Sequence, residues 1–173
     1  MDDDTVLRFN DPRRFGCVLD SEDYLNHKLI KNLGPEPLNN EFDGKYLKKK
    51  SINKTQAIKN FIMDGRIVVG VGNIYASESL FLAGIHPNKS AGKVSLKKYT
   101  ILAEVIKKVL FLAIQAGGTT LKDFINAEGK PGYFSQDLKV YGRKNLPCVN
   151  CGQNILQKTI GQRSTFYCGY CQK

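Results

Sequence analysis

Cys148 and Cys151, then Cys168 and Cys171, form two C-x2-C pairs separated by sixteen residues, all within the last 26 residues of the chain. Each pair suits the tip of a tight turn, where two thiolates point at one ion. Two such tips supply four soft ligands in a tetrahedron, the arrangement of a closed structural zinc site. The stretch between them, Gly152 to Tyr167, alternates polar and apolar residues around Gly161 and reads as a β-hairpin. Two redox pairs or a disulfide framework are the alternatives. Nothing secretory precedes the cysteines and a reducing cytosol keeps thiols free, so one structural Zn2+ is the favoured reading.

A second group of residues is suited to holding an anion. Gly65, Gly70 and Gly72 punctuate the turn between two helical patterns, and Asn73 stands where the second begins. Asn is a good N-cap, and the amides of a helix N-terminus suit a phosphate oxygen. Gly72 and Asn73 are thus expected to grip one phosphate. Lys59, one turn before the end of the preceding helix, would meet its neighbour. The plainer reading is that Asn73 only caps and the glycines only turn. No G-K-[ST] follows these glycines, which argues against nucleotide hydrolysis.

Charge favours a polyanionic partner. The 173 residues carry a net charge of +10, with 42% hydrophobic and 24% charged residues. Residues 1–50 hold 9 Lys/Arg against 10 Asp/Glu, and residues 51–173 hold 17 against 6. So uneven an excess attracts nucleic acid. No apolar run approaches the ~20 residues of a membrane span. The acidic start, MDDDTVLRFN, lacks the basic and apolar parts of a signal peptide. A soluble, cytoplasmic protein is expected, with no membrane partner.

These groups need elements to position them. Residues 5–20 read as two short strands around an Asp11-Pro12 turn, although two strands alone make no stable sheet. Tyr24, Leu25, Leu29 and Leu33 fit a helix or helical turn stopped by Gly34-Pro35. Further helices are expected over about 40–49, over 54–63, and from Asn73 through NIYASESLFLAGI. The longest, 95–116, carries the stripe Leu102, Val105, Ile106, Val109, Leu110 and Ala113. A short helical turn and a Gly/Pro-rich loop then occupy 119–136. Cys17 is expected to be buried in a strand, Glu78 to be structural, and His86 to cap a helix end.

VVGVGNIYASESLFLAGIHP (68–87) resembles the helix–two-turn–helix motif of formamidopyrimidine-DNA glycosylases, and VYGRKNLPC…QRSTFYCGYCQK (140–173) is similar to their C-terminal zinc finger. FNDPRRFG, NLGPEPL and TTLKDF…GKPGYF match in the same order, so the likeness runs along essentially the whole chain. It is closer to the bacterial enzyme than to the related endonuclease VIII branch. The resemblance implies a base-excision-repair protein that removes oxidised purines such as 8-oxoguanine from duplex DNA and nicks the abasic strand. It implies that Lys59 and Asn73 contact backbone phosphates and that Arg163 grips those flanking the lesion. Arg163 read without the resemblance is a solvated surface arginine. Arg13 and Phe15 would fill the gap left by an extruded nucleotide, a step that costs stacking and pairing energy. By composition alone Phe15 would be a core strand residue. The loop holding Lys122, Lys130 and Tyr133 would cover the flipped base.

The family's nucleophile is an N-terminal proline followed by a glutamate, whereas Asp2 and Asp3 stand here. No residue takes the nucleophile role. The expected fold is therefore α+β. A strand remnant of a β-sandwich (1–20) precedes a helix–two-turn–helix domain (21–136) and a β-hairpin zinc finger (137–173). The expected function is the damaged-DNA-binding C-terminal part of a glycosylase/AP lyase, inactive alone and associated with the bacterial nucleoid. Alternatives are half of a split glycosylase with a separate N-terminal partner, a free-standing DNA-binding module, and a module with weak lyase activity from exposed lysines.

Overall fold

Leu96–Gln115 is the longest helix and the backbone of the larger of two units, and it begins where the sequence places it. Ser95 caps it by accepting the Lys98 amide at 3.3 Å, so the orphan donors of the first turn are partly satisfied. Its stripe of Tyr99, Leu102, Ala103 and Ile106 is fully buried. The computed structural model describes residue 6 and residues 8–11, 14–118 and 138–173. These divide into two units, Met1–Asn32 and Leu33–Lys173.

In the larger unit, α1 (Gly44–Ser51), α2 (Ile58–Met63) and α3 (Asn73–Leu82) precede α4 (Leu96–Gln115). One core joins them, drawn from Phe42, Leu47, Phe61, Leu80 and Ile106 among others. The expected helix over 40–49 starts later, at Gly44, because Asp43 accepts the Tyr46 amide at 2.7 Å and fixes the cap there. The expected helix over 54–63 is shorter too. Lys54 and Gln56 give their carbonyls to the amides of Gly92 and Ala91 at 2.8 and 2.9 Å, so this backbone pairs with a distant segment. In the α2–α3 turn, Gly70 has φ +77°, a conformation few side chains tolerate.

The hairpin expected between the cysteine pairs is present. Strands β1 (Leu156–Ile160) and β2 (Arg163–Tyr167) pair antiparallel, with Ile160 opposite Arg163. Gly161 and Gln162 close the turn with φ of +56° and +61°, the two left-handed residues that a tight type I′ connection requires.

The smaller unit departs from expectation. The described residues of 5–20 belong to no strand, and those of 21–32 form turns instead of a helix. Asp23 explains part of this, since its carboxylate takes both the backbone and side-chain amides of Asn26 at 3.4 and 2.8 Å. Such local bonds compete with a helical ladder. Cys17 is exposed, not buried, and Phe15 is 90% exposed, not a core strand residue. Without strand pairing there is no inner face to bury either. Lys122, Lys130 and Tyr133, with the expected helical turn at 119–136, lie outside the described residues, as does Arg13.

Candidate nucleic-acid interface and metal centre

The four cysteines meet in space. Their sulfurs all lie within 4.8 Å of one another, with Cys148 and Cys171 at 3.9 Å and Cys151 and Cys168 at 3.5 Å. A tetrahedron of ~2.3 Å metal–thiolate bonds has edges of about 3.8 Å, so the donor set fits a structural metal. No pair is close enough for a disulfide. Burial pushes the Cys168 thiol up, yet the amides of Cys171 and Tyr170 and the neighbouring thiols bring it down to about 7. Burial and the other three sulfurs push Cys171 up to about 12. Four thiols this close cannot all ionise without a cation among them, which such a metal supplies.

The finger is joined to the helical part of the same unit. Phe81 of α3 belongs to the cluster formed by Val140, Cys148, Ile155, Phe166 and Cys168. Buried Gln172 accepts the Cys168 amide through its side-chain oxygen and donates to the Ile85 carbonyl, both at 2.9 Å. His86 sits past the end of α3, so it does not cap that helix. Its Nδ1 accepts the Asn88 amide and its ring meets Tyr167 edge-on at 4.9 Å. Burial, and then Lys158, hold its pKa below the ordinary value.

Glu78 is structural, as expected. Buried in α3, it accepts the amides of Lys139, Val140 and Tyr141 at 2.9, 2.9 and 2.8 Å. Three donors replace the water that a carboxylate loses on burial. They also fix Tyr141, whose ring packs on Phe166 at 5.0 Å.

Asn73 is not the N-cap. Gly72 takes that position in extended backbone, and no side chain caps the helix. Asn73 is the first helical residue, and its amide turns to the finger, donating to the Ser164 carbonyl at 3.1 Å and the Tyr141 hydroxyl at 3.3 Å. The two acceptors across the domain fix the orientation of the amide through its nitrogen, and its Oδ1 is left buried without a protein partner among the described residues instead of accepting a first-turn amide. Gly72 is exposed, with open space where a Cβ would stand, so the positive end of α3 is uncapped by side chain and approachable.

Lys59 converges on the same carbonyl. Its ammonium donates to Ser164 O at 3.1 Å and to Thr165 Oγ1 at 2.6 Å, and the residue is wholly buried. Burial, and then the Arg163 charge, draw its pKa down to about 8. Arg163 opens β2 beside these groups and is exposed. Among the described residues, no carboxylate pairs with Lys59 or Arg163. Lys59 and Asn73 therefore meet at the Ser164 carbonyl, and the exposed groups beside that junction, the α3 N-terminus at Gly72 and the Arg163 guanidinium, are the ones that suit an anion. Phe15 lies in the smaller unit and is described only there. The sequence reading missed Ser164, Thr165, Tyr141 and Gln172. Tyr141, an aromatic residue ahead of the first cysteine pair, is the one that carried a readable signal.

Residues 33–125 match the family model described as the formamidopyrimidine-DNA glycosylase H2TH domain. The formamidopyrimidine-DNA glycosylase of Alcanivorax borkumensis is 57% identical over 173 residues, covering all of this chain and 64% of its own length. That of Photobacterium damsela subsp. piscicida is 57% identical over 168 residues, or 97% of this chain and 62% of its own. The crystal structure of the MutM (Fpg) protein from Thermus thermophilus is similar with a TM-score of 0.86 at 36% identity, over 94% of this chain and 62% of that one. Lactococcus lactis Fpg in complex with abasic-site DNA gives a TM-score of 0.81 at 33% identity, over 90% of this chain and 57% of that one. The chain thus spans about 64% of the length of the first of these relatives. With the H2TH match, the uncapped α3 and the cysteine cluster all in place, the chain belongs to the formamidopyrimidine-DNA glycosylase family.

Proposed function

We propose that this chain grips the backbone of damaged duplex DNA for a base-excision-repair glycosylase and AP lyase. One observation carries the reading: Lys59 and Asn73, from two helices, meet strand β2 at Ser164, directly beside Arg163. A helix N-terminus and an arginine so tied can hold neighbouring phosphates, a role with no need of base-specific contacts. The Lactococcus lactis relative is described in complex with abasic-site DNA, which supports the same partner here. In this reading residues 21–136 are the helical DNA-binding domain, 137–173 the finger, and 1–20 a piece of the glycosylase's β-sandwich. The protein works at the bacterial nucleoid.

The ion held by Cys148, Cys151, Cys168 and Cys171 is zinc. When bound, it supplies no reaction step; it neutralises the thiolates and holds the two ends of the hairpin region together. Arg163 binds phosphate through charge-assisted bonds, Gly72 allows the backbone close approach, and Arg13 and Phe15 fill the space of the extruded nucleotide. Lys122, Lys130 and Tyr133 belong to the segment covering the flipped base. In this reading these 173 residues bind DNA and do not themselves excise the damaged base.

Fluorescence anisotropy with duplexes bearing an abasic-site analogue, titrated across salt concentrations, tests the reading. Affinity is expected to fall steeply with salt as counterions are released. Arg163→Ala should weaken binding by ~1–3 kcal/mol, the worth of a charged hydrogen bond. Salt-insensitive binding, or none, overturns the proposal. Borohydride trapping on an 8-oxoguanine duplex should yield no adduct, and an adduct there overturns the non-excising role.

A further inference from the structure

We propose that Lys59 is a positioning residue, which braces strand β2 so that Arg163 is held where it can meet DNA, and does not itself contact the phosphate. The inference rests on the DNA-binding reading above for its consequence, although the bracing is read from the free protein.

Lys59 has no accessible surface, and two of its three ammonium protons are already committed to Ser164 O and Thr165 Oγ1. A phosphate oxygen could reach the ammonium only by opening the contact between α2 and β2. The bond to Thr165 extends further. Thr165 Oγ1 donates its own proton to the Arg163 carbonyl at 3.2 Å, so the chain of donors runs from Lys59 through Thr165 to the backbone of Arg163. The next residue of α2 supports the other side. A Cβ on Gly161 would collide with the Asn60 side-chain amide, so the hairpin turn is seated directly on Asn60. Adjacent residues of one helix thus hold the backbone on both sides of Arg163. A two-stranded hairpin is marginal by itself and gains its fixed geometry from such contacts. The Asn73 bond to Ser164 O adds a second hold from α3.

The test uses the full chain with Lys59→Met, Thr165→Val, Arg163→Ala and the Lys59→Met/Arg163→Ala double variant. Amide hydrogen exchange of residues 163–165 is measured without DNA, and duplex affinity is measured against salt. Lys59→Met should speed exchange at these amides by on the order of tenfold, the loss of a charged hydrogen bond. Thr165→Val keeps the charge and side-chain shape and should reproduce part of the effect, so it serves where Lys59→Met fails to fold. Lys59→Met should weaken DNA binding in the parent and change nothing further in the Arg163→Ala background. Equal weakening in both backgrounds, with a salt slope lowered by about one counterion, identifies a direct phosphate contact and overturns the proposal. Unchanged exchange at residues 163–165 overturns it as well. A parent that binds no DNA defeats the DNA-binding reading, while the exchange result still decides whether Lys59 braces β2.

Discussion

Asn73 donates its side-chain amide to the carbonyl of Ser164 at 3.1 Å, tying the first residue of α3 to strand β2. The helix that offers its N-terminus and the strand that carries Arg163 are therefore fixed to each other by a bond between residues 91 apart in sequence. An anion held by one is within the arrangement set by the other. Double-mutant coupling between Asn73 and Arg163 follows naturally from residues that share a hydrogen-bond network.

Removing the metal should disorder the finger and leave the helical core folded. Phe81 shares a cluster with Cys148 and Cys168, so α3 loses packing on one side, while Phe42, Leu47, Phe61 and Ile106 form a separate core. Chelation, or Cys168→Ser, is expected to erase the β-hairpin signals in nuclear magnetic resonance spectra with most helical circular dichroism retained. Binding energy in such small metal units is folding energy. Added zinc should restore the chelated parent only. A hairpin that stays ordered in chelator argues against the site.

Raising pH should strengthen folding through Lys59 and leave its part in DNA binding unchanged. Its folded-state pKa is drawn down to about 8 from 10.5 by burial and by Arg163. The folded chain therefore releases this proton before the unfolded chain does. Its favourable contribution to stability is complete above the unfolded value and is lost as pH falls through about 8. Between those values the unfolding free energy of the parent should rise relative to Lys59→Met. DNA affinity should follow the same pH profile in parent and variant, because a neutral Lys59 amine still has two protons for Ser164 and Thr165 and touches no phosphate. Denaturant titrations and anisotropy on either side of pH 8 compare the two, and parallel stability profiles, or a loss of affinity in the parent alone, defeat the assignment.

Glu78→Ala should be far more damaging than an ordinary surface change. Three amides, those of Lys139, Val140 and Tyr141, lose their acceptor in a buried site. The expected cost is roughly 3 kcal/mol, from unsatisfied buried donors. Glu78→Gln keeps one acceptor oxygen and should cost less. Urea denaturation measures both, and a loss within ~0.5 kcal/mol, typical of surface substitutions, refutes the role given to this carboxylate.

Local patterns in the chain were readable because their causes are local. The C-x2-C spacing brings two sulfurs to one turn whatever the surroundings, and the alternation about Gly161 specifies a hairpin. Ser95 and the stripe after it define α4 with little help from elsewhere. Failures came where distant partners or missing ones decide. Residues 54–57 carry helical periodicity, yet Ala91 and Gly92 take their carbonyls. The apolar residues at 24–29 have helical spacing, yet local Asp23 bonds and exposed surroundings leave only turns.

Sequence alone determined the ligand set, the hairpin, the principal helix and the family resemblance, since these depend on residue type at short spacing. Only the tertiary structure decided that Asn73 turns away from capping its own helix, that Lys59 is committed to β2, and that Glu78 organises residues 139–141. Each of those outcomes is a contest between a nearby hydrogen-bond partner and one brought close by folding. Lys59 and Glu78 find partners across the fold while Asn73 Oδ1 is left without a protein partner among the described residues, and both results are settled by the packing of α2, α3 and the finger together.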